Sequence, residues 1–428
     1  MKPDSAIHQP LTFKYNDISI ALNIRGDNKY TKVSYPVKYG LFSRLETSDY
    51  VFEFNQNHEI IHAKSRNSEW QHPSEWLKRT IGNDWVYYST GGYSGVFEAI
   101  GEYYLPNLMY KTNSLLGGTP FCNDPINNIV KNWHKIVMQL STNDMPDPFF
   151  SWLKNIQQQT PEKLQEKAEQ LFKIIGSRVS VMPPDARHVD YNIIPINISD
   201  GCLYKCRFCK IKNHKKFMVR SQQDIDNQVK QLKKLYNNDI TNFNALFLGE
   251  HDALNAPDDL ILETAQNAYH AFNFHTSYMA DSYLLIFGSV DSFLNKGQPF
   301  FTKLNQLDFQ TFINIGLESY DQATLDLIGK PITREMVGKA FKKIQEVNNA
   351  CPNIEITSNF VIDESLPDSH YEALMALIRD SVNKTTPKGG IYLSPLKFGT
   401  PSREVLYDFY KLKALSRFPT FLYIIQRL

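Results

Sequence analysis

From about residue 190 onward, short apolar runs alternate with amphipathic stretches, and this rhythm constrains the fold more than any other feature of the chain. The apolar runs are Ile193 to Ile198, Ala245 to Gly249, Phe272 to Met279, Thr311 to Leu317, Ile354 to Ile362 and Ile391 to Leu396. Helical periodicity fills the intervals at 222–236, 258–271, 284–295, 321–328, 333–348 and 368–382. Repeated β/α units call for a parallel sheet, because a crossover helix is the short way back to the start of a parallel neighbour. The segment 333–348 is the best marked: Thr333 caps it, Pro331 precedes it, and Val337, Phe341, Ile344 and Val347 share one face. A partial barrel and an open doubly wound sheet both satisfy the α/β pattern, and both put chemistry at the carboxyl ends of the strands.

The earlier part of the chain reads differently. Residues 11–63 hold short alternating runs such as Tyr50-Val51-Phe52-Glu53-Phe54, whereas 126–140 and 161–176 have helical period, the second opened by Thr160-Pro161-Glu162. An irregular α+β domain is expected here. Val181-Met182-Pro183-Pro184-Asp185 forms a stiff connector, since each proline fixes its own φ and biases its predecessor away from helix. The expected division is therefore an N-terminal α+β domain over 1–185, a core over 186–400 and a helical tail over 401–428. His188, Asp190 and Tyr191 precede the first strand and read as structural residues at its amino end. Tyr87, Tyr88, Tyr93, Tyr103, Tyr104 and Tyr110, set among glycine pairs at 91–92 and 117–118, are candidates for a substrate-recognition surface, although aromatic rings also pack ordinary cores.

Five cysteines are unevenly spread: Cys202, Cys206 and Cys209 lie within eight residues, and Cys122 and Cys351 stand alone as ordinary small apolar residues. This is not the spacing of a disulfide framework, and the N-terminus lacks the basic and apolar regions of a secretory signal. A cytoplasmic location and a metal site are the expectations. The motif Gly201-Cys202-Leu203-Tyr204-Lys205-Cys206-Arg207-Phe208-Cys209 begins just past the first strand, on the active-site rim. Three thiolates can hold three irons of a cubane whose protein ligands are ordinarily four cysteines, which leaves one coordination position open. A zinc site with His214 as fourth ligand, or an electron-transfer cluster, are the alternatives at this point. Lys and Arg (46) nearly balance Asp and Glu (45), so any nucleic-acid contact would need a local patch. One exists: Lys205 to Arg220 holds seven basic residues and no acid, fit for a solvated surface, an acidic electron donor or phosphates.

At these residues the sequence resembles the radical S-adenosylmethionine (SAM) superfamily, whose signature is C-x3-C-x-aromatic-C, with Phe208 in the aromatic position beside the SAM adenine. Leu246-Phe247-Leu248-Gly249-Glu250-His251-Asp252 is similar to the turn that binds the SAM amino group, which implicates Gly249 and Glu250. Ile315-Gly316-Leu317-Glu318-Ser319 and Leu327-Ile328-Gly329-Lys330 resemble segments of the branch containing the Elongator catalytic subunit and oxygen-independent coproporphyrinogen oxidase, where Glu318 would contact the ribose or methionine portion. Ser277, alternating with His275 and Met279, is a further candidate SAM contact. The resemblance covers about half of the chain and implies a partial (β/α)6 TIM-type barrel, a [4Fe-4S] cluster held by Cys202, Cys206 and Cys209, and reductive cleavage of SAM to a 5′-deoxyadenosyl radical. It also implies a flavodoxin or ferredoxin-type electron donor. A small metabolite or natural-product intermediate, bound between the N-terminal domain and the barrel mouth, is the expected substrate. An RNA-modifying enzyme and a non-catalytic metal-binding interaction protein are the competing readings, and no membrane association is expected.

Overall fold

The computed structural model describes residues 9–30, 38–66, 76–88, 102–105, 124–140, 145–209, 215–396, 403–423 and 428. Its first part is one antiparallel sheet of eight strands in chain order: β1 (Leu11–Tyr15), β2 (Ile18–Arg25), β3 (Leu41–Glu46), β4 (Tyr50–Phe54), β5 (Ile60–Ser65), β6 (Trp76–Arg79), β7 (Trp85–Tyr88) and β8 (Glu102–Leu105). Three helices follow, α1 (Asp124–Met138), α2 (Phe149–Gln157) and α3 (Pro161–Ile175). The region is α+β as expected, but its strands form a regular meander. Asn16, His58 and Asn83 take positive φ in three of the hairpin turns, a conformation that Asn in particular tolerates, so each strand folds straight back on the last. Helix α2 covers the sheet by setting Trp152 edge-on against Phe54, with ring centroids 5.6 Å apart. Of the tyrosine block, the backbones of β7 and β8 pair Tyr87 with Tyr103. Tyr93, Tyr110 and the glycine pairs, like Cys122 and His214, lie outside the described residues.

The second part is a parallel sheet of seven strands, in the order β9 (Ile194–Asn197), β12 (Ala245–Gly249), β13 (Tyr283–Gly288), β14 (Gln310–Glu318), β15 (Ile354–Ile362), β16 (Ile391–Pro395) and β17 (Thr420–Leu422). Between β9 and β12 lie a short antiparallel pair, β10 (Ser199–Asp200) and β11 (Met218–Val219), and helix α4 (Gln222–Tyr236). The other crossovers are α5 (Asp258–Ala271), α6 (Val290–Asn295), α7 (Gln298–Asn305), α8 (Gln322–Ile328), α9 (Arg334–Ala350), α10 (Asp368–Met375) and α11 (Arg403–Leu415). The side chains of Ser221, Ser289, Asp321 and Thr333 accept the N–H three residues on and so start α4, α6, α8 and α9. The architecture is the partial barrel of alternating units that the sequence suggests.

Two expectations change. The run Phe272 to Met279 is not the third strand: it leaves α5 through Asn273 at φ 55° into a 3-10 turn, and its Phe274 ring packs on Phe309. The third strand is instead β13, within the segment expected to be helical, because Gly288 presses against Leu254 and Ile315 and Ser289 begins a new helix. The tail after residue 400 is not helical throughout: β17 pairs with β16 as a seventh parallel strand. The connector is buried, Met182 and Asp185 together with Ala186 and Val189 just after it, and the buried core reaches from Ile20 to Leu428.

The meander sits on the amino end of the parallel sheet. Lys78 of β6 binds the Asp190 carboxylate at 2.7 Å and Asn192 at 2.9 Å, both just before β9. Asn55 donates to Asp239, and Leu41 exchanges two hydrogen bonds with the Asn242 amide, both partners lying before β12. Tyr278 donates to the Gly26 carbonyl and Ala280 N–H to Asn28, before β13. Asp190 thus ties the meander to the start of β9, the structural role read for it. Substrate held between the meander and the barrel mouth is not what the described strands provide, since they cover the opposite end. Inside the barrel, Asp185 accepts from Tyr392 (2.7 Å) and Thr357 (2.8 Å), and Asn314 bonds both Thr357 and Asn359. Burial lifts Asp185 to about 7 despite those two hydrogen bonds.

Candidate functional site

The cysteine loop leaves β9 at the carboxyl end of the sheet and is tied down at three places. At its base, Arg220 grips both oxygens of Asp200 at 2.9 Å, and Gly201, at φ 78°, comes so close to the Lys216 carbonyl that a Cβ would sit 2.6 Å from it. In its middle, the Tyr204 hydroxyl donates to Asp291 (2.5 Å) and accepts the Asp291 N–H at the start of α6. At its end, Arg207 donates to the carbonyls of Asp326 and Leu327, and Phe208 N–H to that of Ile328, so the loop caps the last turn of α8. The Phe208 ring, half-buried, packs with Ile328, Val361 and Leu366.

All three thiols of the loop are free; Cys206 is buried, and Cys202 and Cys209 are half-buried. Burial pushes Cys202 up to about 11 against the Tyr204 N–H, which bonds its sulfur at 3.4 Å, and it also raises Cys206. A metal reverses that preference, because ligation deprotonates a thiol. Among the described residues, no three His, Cys, Asp or Glu side chains converge as ligands of one metal ion. A cubane makes no such demand, since each thiolate binds a different iron. The donor set, three thiols on one loop with a buried cation beside them, fits such a cluster.

That cation is Lys330. Its ammonium lies 3.1 Å from Glu318 and 5.3 Å from the centroid of the Tyr204 ring. Burial would lower its pKa, but the Glu318 carboxylate and, where they are ionised, the Cys206 and Cys202 thiolates outweigh this and raise it. Glu318 occupies a bulge of β14 at φ 67°, and Gly316 is required beneath it, because a Cβ there would meet the Glu318 carboxylate and stand 3.1 Å from Lys330 Nζ. Ser319, next in the chain, is fixed by His370 of α10 at 2.8 Å.

Gly249 closes β12 where its carbonyl accepts from Ile198, and a Cβ would strike the Asn197 amide. Glu250 is nearly buried, with the His251 ring 3.6 Å away, and burial keeps His251 below its usual pKa. Asp252, fully buried, accepts from Ser289 and Ser292 and so joins this turn to α6. Glu250 and Glu318 thus lie at the same end of the sheet as the cysteine loop. Ser277 does not: it donates to Thr241 in the turn before β12, at the amino end, because the strand expected there is a 3-10 turn. Tyr204, Asp252, Asp291 and Lys330 were not singled out by sequence. Lys330 had a signal, standing directly after the Gly329 that ends α8 in the left-handed region.

The Radical SAM superfamily model matches residues 196–378. No curated protein sequence matches the chain. Among solved structures, SuiB of Streptococcus suis is similar at 11% identity, covering 71% of this chain and 61% of that one, with a TM-score of 0.36. A radical SAM methyltransferase from Sphaerobacter thermophilus is similar at 15% identity (54% and 65%, TM-score 0.34), and methylornithine synthase at 10% (72% and 77%, TM-score 0.35). The chain thus spans less than two thirds of the first two proteins. Residues 196–378, from β9 past α10 and including the cysteine loop, are a radical SAM domain.

Proposed function

We propose that Cys202, Cys206 and Cys209 hold a [4Fe-4S] cluster whose open iron takes SAM, and that the chain acts on a small polar metabolite or natural-product intermediate. The observation that carries this reading is the cysteine loop, pinned at the carboxyl end of the parallel sheet beside the buried Glu318–Lys330 pair. A cluster held there would supply one electron to the SAM sulfonium, so that its C5′–S bond would break to methionine and a 5′-deoxyadenosyl radical able to take a hydrogen atom from substrate. The chain's own residues bind and orient. Lys330 offsets the negative charge of the thiolates, Glu250 receives the SAM amine, Glu318 faces the ribose or methionine portion, and Phe208 lies beside the adenine. Substrate enters from the carboxyl end, since the described meander covers the other, and Asn314, Thr357 and Asn359 make the barrel interior polar.

Anaerobic reconstitution with iron and sulfide is expected to give a brown protein with broad visible absorption, and SAM with dithionite is expected to yield 5′-deoxyadenosine. A colourless protein with one zinc per chain would overturn the cluster. A brown protein that yields no 5′-deoxyadenosine would make it a binding module.

A further inference from the structure

His370 of α10 is fully buried and stands outside the residues proposed for SAM, yet its ring joins two of the segments that carry them. Its Nε2 lies 2.9 Å from the Val361 carbonyl near the end of β15. A carbonyl only accepts, so Nε2 carries a hydrogen. Burial holds the ring below its usual pKa, which leaves Nδ1 bare and able to accept. The Ser319 hydroxyl, 2.8 Å from Nδ1, therefore donates to it, while the hydroxyl oxygen accepts the Asp321 N–H at 3.0 Å. Ring and hydroxyl are thus locked in one arrangement.

Both sides of this link lead toward the SAM residues. On one side, the Ser319 N–H donates to the Leu317 carbonyl at 2.9 Å and closes a tight turn around Glu318. Glu318 sits in that turn at φ 67°, a conformation that a residue with a side chain keeps only where its surroundings fix it. The same hydroxyl, through the Asp321 N–H, holds the start of α8, whose last turn receives the Phe208 N–H and runs on to Lys330. On the other side, the Val361 side chain packs in one cluster with Phe208, Ile328 and Leu366. Tyr371, next to His370, secures this strand exit by donating to the Asp363 carbonyl (2.8 Å) and accepting the Asp363 N–H (3.2 Å).

We infer that His370 is a positioning residue for SAM: its ring, donating to Val361 and accepting from Ser319, sets the spacing between Glu318 and Phe208. The inference rests on the function proposed above and adds to it a residue that acts through two others.

The test measures SAM binding by calorimetry to the full chain, reconstituted anaerobically with iron and sulfide. His370→Ala removes both hydrogen bonds of the ring and is expected to weaken SAM binding by ~10-fold or more. Ser319→Ala should also weaken it, and the double variant little more than His370→Ala alone, because the two residues share one bond. Asn and Gln separate the two nitrogens, since an Asn amide reaches the place of Nδ1 and a Gln amide that of Nε2. His370→Asn can still accept from Ser319 and should recover most of the affinity lost in His370→Ala; His370→Gln keeps only Val361 and should recover less. Iron content and visible absorption should match the parent throughout. SAM bound equally well by the parent and His370→Ala would overturn the inference and leave the proposed function standing. Equal losses in the Ala, Asn and Gln variants, in step with a lowered melting temperature, would also overturn it, because they mark a packing role alone. A parent that takes up iron but binds no SAM would overturn the proposed function and this inference with it.

Discussion

The two ends of the parallel sheet are built from opposite materials. At the amino end, buried charges are matched and covered: Glu59 is held by Lys167 and by Arg79 at 3.7 Å, Glu53 by Lys38, Arg44 and His62, and the meander lies over the loops that begin β9, β12 and β13. Burial alone would raise Glu53, but His62, Lys38 and Arg44 bring it down to about 2. At the carboxyl end the backbone takes unusual shapes, with Glu318 at φ 67° and Gly316 crowded beneath it, and thiols are kept free. At the amino end the polar groups hold the meander to the sheet; at the carboxyl end they hold the cysteine loop in place. This is the division expected where strand ends of one polarity carry chemistry.

The comparison is most sharply broken at the cysteines. Cys206→Ser is expected to abolish iron binding and visible absorption while leaving the melting temperature of the metal-free protein nearly unchanged; global unfolding would show that the carboxyl end holds the fold too. Next in size, Glu59→Ala strands Arg79 and Lys167 at the buried interface and is expected to cost about 3–5 kcal/mol in urea unfolding. Iron uptake in that variant should be normal below the transition, and a loss of iron uptake in step with stability would erase the distinction between the two ends. The smallest effect concerns Asp185. Its folded pKa, about 7, lies above the unfolded value, so the native state holds the extra proton between about pH 4 and 7. Stability from this group is therefore complete below pH 4 and is lost as pH rises to 7. Asp185→Asn should remove that slope, on the order of 2–4 kcal/mol across the window, and unfolding curves that stay parallel to those of the parent from pH 4 to 7 would contradict it.

How far the sequence could be read follows from which interactions are local. Thr333, Ser221 and the glycine after α8 act within one turn of the chain, and the helices they mark fall where periodicity put them. The cysteine motif was equally legible, because its spacing is its meaning. The third strand was not: Tyr283 to Phe287 is followed after only Gly288 and Ser289 by the apolar Val290, Phe293 and Leu294 at helical spacing, and Gly288 packs so closely on Leu254 and Ile315, which are distant in sequence, that a Cβ would clash. Strand β17 was missed for a related reason, as three residues after a helix offer no period and acquire their state only by pairing with β16. The position of the meander also depends on contacts such as Asn242 with Leu41, two hundred and one residues apart, which no local pattern announces. Lys330 sat inside a recognised stretch, yet its partnership with Glu318 needs the bulge of β14 to exist first.

Helix α8 and the cysteine loop share one set of fastenings: Arg207 and Phe208 on the last carbonyls of the helix, Lys330 over the Tyr204 ring, and Gly329 against the Arg207 side chain. They therefore behave as a single cassette. Grafting the nine-residue motif alone onto another barrel would transplant three sulfurs without the scaffold that aims them, whereas a transplant that also brings residues 322–330 would preserve both the aim and the accompanying positive charge.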